Sequence, residues 1–155
     1  MSIAEQIQLY LEAPAQLRAA VAGLSREQVL ARPIAGKMST LEVVAHLADF
    51  EPVFADRMKR IIAMDRPHLA PGDENAFLAK LAYHERDLED ELRLIELVRA
   101  QMGRILRTLP ADAWSRIGIH AERGEMTLEQ MLRTANSHIP HHVPFILEKR
   151  KALGM

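Results

Sequence analysis

The chain is 155 residues long, with 48% hydrophobic and 26% charged residues, a formal net charge of -1 and no cysteine. That is the profile of one soluble globular domain that needs no disulfide, and it leaves no thiolate for a zinc or iron–sulfur site or for nucleophilic catalysis. The balanced charge argues against a nucleic-acid partner, and no apolar run reaches the roughly 18 residues of a membrane span.

The first helix is expected from Ser2 to about Gly23, with Ile3, Ile7, Leu11 and Leu17 on its apolar side and a kink at Pro14, where a backbone donor is lost. Its acidic, amphipathic start lacks the basic and apolar segments of a signal peptide, so a cytoplasmic location is expected. A short helical turn follows from Ser25, which opens a capping box. Residues 31–38 read as a connector around Pro33 and Gly36. Ser39 and Glu42 form a second capping box, and the second long helix runs to about Asp65 with a stripe of Val43, Leu47, Phe50, Phe54, Met58 and Ile61. Pro52 predicts a bend in it.

Residues 66–75 are a loop by composition, and 76–84 a short helical piece. Asp87 caps a third long helix to about Thr108, with Leu88, Leu92, Ile95, Met102, Ile105 and Leu109 on one side and a solvated charged face opposite. Residues 116–126 read as a polar loop. Thr127 and Gln130 form a third capping box, opening a last helix to about Leu153. Four long helices without strand signals predict an all-α four-helix bundle, a single domain over 1–155.

The inward positions of the last helix step through Leu128, Met131, Ala135, His138, His142 and Phe145. Histidines in an apolar seam are costly unless both ring nitrogens find partners. His138 and His142 stand one turn apart, roughly 5–6 Å between Cβ atoms, a spacing at which one helix can chelate a metal ion. No glutamate follows His138, so the zinc-protease pattern is not met. A third ligand has to come from a facing helix, and His46, beside Val43 and Phe50, is the best placed. His68, His84 and His120 fall in loops, and His141 points away around the helix. Two readings of the three histidines stand side by side: a metal site, or a polar core network bridged by water. Pro140 and Pro144 predict either a kink in the last helix or a new helix starting near Ser137.

The sequence resembles the DinB/YfiT-like family of metal-dependent enzymes. The resemblance is carried by Pro14–Leu17, Gly36–Asp49, Glu85–Leu88, Leu109–Trp114, Gly124–Leu132 and His138–His142, in that order along nearly the whole chain. It implies an up-down-down-up four-helix bundle, often a homodimer, whose central divalent metal is held by three histidines that fall on His46, His138 and His142. Met38 stands where many relatives carry tryptophan, and His141 is an additional histidine beside the site. Three imidazoles suit Zn, Ni, Fe or Mn alike and leave positions open for water or substrate. The wider family includes transferases that use low-molecular-weight thiols such as bacillithiol or mycothiol; without cysteine, this chain would have to take its thiol from such a co-substrate.

Asp49, one turn after His46, is the candidate catalytic carboxylate, to orient His46 or accept a proton. Its alternative is a plain surface carboxylate. Glu51 is expected to face solvent, and Tyr83 and Arg86 to lie near the mouth of the site. Two functions are therefore weighed for a small-molecule substrate. One is a metal-dependent thiol transferase or hydrolase. The other is a metal- or ligand-binding bundle without turnover, favoured by the weak case for an acid–base residue.

Overall fold

The computed structural model describes residues 1–155. Its long helices are α1 (Ile3–Val21), α3 (Thr40–Ala63), α5 (Leu88–Leu106) and α6 (Leu128–Ala152), with short α2 (Arg26–Leu30) and α4 (Glu74–Lys80) between them. The helix starts follow local chemistry. Ser2, Ser25, Ser39 and Thr127 each accept from a backbone N–H three residues on, and Glu5, Gln28, Glu42 and Gln130 reach back to close the box. Asp73 and Asp87 cap α4 and α5 in the same way on one side.

Packing does not follow chain order. α1 and α3 each lie against both α5 and α6, so α1 and α3 sit across the bundle diagonal. The core has two halves. One gathers Ile7 and Tyr10 from the start of α1, Leu128 and Met131 from the start of α6, and Met58 and Met102 from the later parts of α3 and α5. The other gathers Leu17 and Ile146 with the early Val43 and Leu92. Hence α1 and α6 run one way and α3 and α5 the other, which is the up-down-down-up arrangement. No helix is long and apolar enough to cross a membrane.

Between the two halves lies a buried ion pair. Glu51 is fully buried on α3, correcting its expected solvent-facing position, and Arg99 of α5 donates to its Oε1 at 2.9 and 2.5 Å. The same guanidinium donates to the Tyr10 carbonyl of α1 at 2.9 Å and the Ala135 carbonyl of α6 at 3.1 Å. One side chain thereby joins all four long helices. Pro14 explains one of these bonds: lacking an N–H, it leaves the Tyr10 carbonyl one turn back without its helical donor, and Arg99 supplies another.

The helices run unbroken through Pro14, Pro52, Pro140 and Pro144. The reading of a new helix near Ser137 is thus replaced by one continuous α6, with both of its prolines on the exposed side. Phe145, expected inward, is 40% exposed. Residues 116–126 are not a plain loop either. Strand β2 (Ile117–His120) pairs antiparallel with β3 (Gly124–Thr127), and the two-residue β1 (His68–Leu69) pairs parallel with β2. The hairpin docks through Gly118, where an added Cβ would come within 2.8 Å of Ile61 Cγ1 and 3.1 Å of Leu69, and through buried Met126. The small sheet lies against α3 and the start of α6, forming one wall of a cavity beside the histidines.

Candidate metal centre

His46 is set by the capped entry of α3 and is 4% exposed; His138 and His142 are half-buried on α6. The packing of α3 against α6 brings the three rings edge to face, with centroids 4.8, 4.8 and 5.0 Å apart. One nitrogen of each ring lies within 4.8 Å of the others, and His46 Nε2 and His138 Nε2 are 2.9 Å apart. Phe50 and Phe54 pack on these rings at 5.0 and 5.3 Å and keep that side apolar.

Burial holds the imidazoles neutral. It pushes His138 down to about 3 and His142 down to about 4, with the neighbouring histidines adding to the shift. His46 is lowered for the same first reason, against the pull of Glu74 and Asp49. Neutral imidazole is the form that binds a metal. The Nδ1 atoms of His138 and His142 are buried and meet no protein partner. What fits an imidazole-binding divalent ion is the donor set itself: neutral ring nitrogens turned toward one point, with the Nε2 atoms of His46 and His138 facing each other.

Asp49, one turn after His46, is taken up by another partner. Arg86 grips both its oxygens, at 2.5 and 2.9 Å, and it makes no hydrogen bond to His46. Arg86 also reaches Glu91 at 3.3 Å and lies 4.8 Å over the Tyr83 ring. Tyr83 is buried, and desolvation together with the Asp49 carboxylate pushes its phenol up. These residues brace the base of α5 against α3.

A carboxylate that sequence reading missed is closer to the centre. Glu74, in the first turn of α4, has Oε2 3.9 Å from His46 Nε2 and lines the same cavity. Its only sequence signal was Asp73 as a helix cap inside a segment read as loop. His120 is a second addition: it forms part of the cavity wall from β2. His68 and His84 are exposed away from it, while exposed His141 packs its ring 4.9 Å from that of His142.

The sequence profile of the DinB superfamily matches residues 9–146. The chain belongs to the DinB superfamily. Among its relatives, YfiT of Bacillus subtilis, which bears the name of a metal-dependent hydrolase, is 29% identical over 149 residues, covering 96% of this chain and 84% of its own. A second protein named as a metal-dependent hydrolase, from Geobacillus thermodenitrificans, is 29% identical over 154 residues, covering 98% and 86%. The solved structure of YfiT, described as a probable metal-dependent hydrolase with an unusual four-helix bundle topology, superposes with a TM-score of 0.91 at 27% identity, covering 99% of this chain and 90% of that one. The mycothiol-dependent maleylpyruvate isomerase has a similar fold, at a TM-score of 0.73 and 15% identity, covering 93% of this chain and 60% of its own.

Proposed function

We propose that this chain is a metal-dependent hydrolase of small molecules, with His46, His138 and His142 holding one divalent ion. The observation that carries the reading is the convergence of three neutral ring nitrogens within 4.8 Å, with His46 and His138 lining an open cavity. Relatives at 29% identity that bear the hydrolase name support it. When bound, a divalent ion supplies Lewis acidity, polarising a substrate oxygen and acidifying water.

The chain's own residues do the rest. Phe50 and Phe54 exclude water from the histidine side, which strengthens electrostatic interactions there. Glu74 takes the proton-accepting role first considered for Asp49, because its carboxylate faces the centre unpaired with any arginine, whereas Asp49 is held by Arg86. Asp49 serves as a positioning residue for the α3–α5 contact.

A thiol-transfer reaction is the second reading, supported by the fold shared with the mycothiol-dependent isomerase. With no cysteine in the chain, the thiol would be a co-substrate. Metal analysis of untagged protein tests the site: wild type carries a divalent ion and His46→Ala/His142→Ala does not. Equal metal content in the two would end the proposal. Turnover of an ester or amide panel without added thiol supports hydrolysis, and strict thiol dependence supports transfer.

A further inference from the structure

The cavity beside the histidines measures about 210 Å³, and its far wall is cationic in an unusual way. Arg57 of α3 is 7% exposed, yet no carboxylate pairs with it. Its Nε and Nη2 donate only to the Ala70 carbonyl, at 3.3 and 3.1 Å, and its guanidinium lies 6.0 Å from the Phe54 ring centroid. Arg99, the other arginine buried in this bundle, is matched by the Glu51 carboxylate. Asp56 and Glu122 act on it only at longer range, without a direct ion pair, and a buried charge lacking such a pair is costly, so Arg57 stands in a place where an anion would relieve it.

Two further donors face the same space. Arg123, on the hairpin, donates to Thr134 Oγ1 at 3.2 Å and has no acidic partner. His120 accepts two backbone N–H groups at Nδ1, from Glu122 at 3.1 Å and Arg123 at 3.2 Å. Those bonds leave its proton on Nε2, making it a neutral donor. The carboxylates on this cavity, Glu74 and Glu122, are exposed and pair with neither arginine.

We infer that the cavity binds small organic oxyanions, with a carboxylate or phosphate group seated on Arg57, Arg123 and the Nε2–H of His120, and the rest of the molecule directed to the three histidines. Its meaning for substrate choice rests on the hydrolase reading, but the binding itself needs no metal.

The test is calorimetric titration of metal-stripped protein with succinate and with inorganic phosphate, with uncharged succinamide as the matched control. Saturable binding of at least one anion, and none of succinamide, is expected. Arg57→Gln weakens it about tenfold or more, the loss of a charge-assisted contact away from water. Arg123→Gln, on the exposed hairpin, weakens it by a smaller factor and decides the matter if Arg57→Gln does not fold. Anion affinity is read on metal-stripped wild type and metal content on the untreated protein, so failure of the metal site and failure of this inference are read separately. Binding of neither anion, equal binding of succinamide, or wild-type affinity in folded Arg57→Gln or, failing that, in Arg123→Gln would overturn it.

Discussion

Replacing Arg99 by methionine removes the donor of three acceptors in the bundle interior at once and strands two of them. The Glu51 carboxylate, 0% exposed, loses its counter-ion; the Tyr10 carbonyl, already without a helical donor because of Pro14, loses its substitute; and the Ala135 carbonyl loses a second bond. Breaking a buried pair from one side costs about 3–5 kcal/mol, and an unpaired buried carbonyl adds on the order of 1 kcal/mol. Against a total stability of roughly 5–15 kcal/mol for a domain, the variant is marginal. Burial pushes the Glu51 carboxyl up, and Arg99 is what opposes it. Without Arg99 the native carboxyl titrates above its unfolded value, so the deficit is largest at neutral pH and narrows at pH 5 as Glu51 takes up a proton. Arg99→Met/Glu51→Leu removes the stranded charge and recovers about half or more of the loss, leaving the Tyr10 carbonyl. Urea denaturation at pH 7 and pH 5 reads all of this. A loss below about 1 kcal/mol for Arg99→Met, or a double variant weaker than the single, would refute the account of the buried pair.

Saturating zinc, at about a hundred times its dissociation constant, stabilises wild type by roughly 2.7 kcal/mol, or a Tm rise of about 5–10 °C by calorimetry; His46→Ala/His142→Ala shows no rise. Stability of the metal-free protein is highest above pH 6.5 and falls as pH drops, because the unfolded histidines take up protons near 6.5 while native His138 and His142 resist to about 3 and 4. His138 alone removes about 2 kcal/mol by pH 5, and equal midpoints in urea at pH 7 and pH 5 would contradict the burial of these rings. Gly118→Ala drives a methyl against Ile61 and Leu69 and costs about 1–3 kcal/mol in urea denaturation, with the change reporting hairpin docking.

How much of this was legible in the sequence depended on the range of the interaction. The four helices announce themselves through local chemistry: Ser39 with Glu42 and Thr127 with Gln130 close their boxes within one turn, and the α3 stripe from Val43 to Ile61 is buried as its period predicts. The convergence of His46 with His138 and His142 follows from which stripes face one another. Glu51 was misplaced because its partner lies 48 residues away and no local pattern marks a buried charge as paired. The hairpin escaped notice because each four-residue strand presents one docking residue, Gly118 or Met126, too little for a period of two to show. Glu74 and Arg57 meet the cavity through a connection that only the assembled chain supplies.

The division of the site between rigid and peripheral parts separates two traits that are often tied together. The three histidines ride on helices whose packing is the bundle itself, whereas Ala70–Glu74 and His120–Arg123 belong to connections outside the helical core. Apart from Gly72, where an added Cβ would come within 2.7 Å of Phe50, changes in those short stretches alter which molecules fit beside the histidines without repacking the interior. A lineage built on this scaffold can therefore diversify its chemistry by exchanging a few exposed residues in two connections, while the helical core stays as it is.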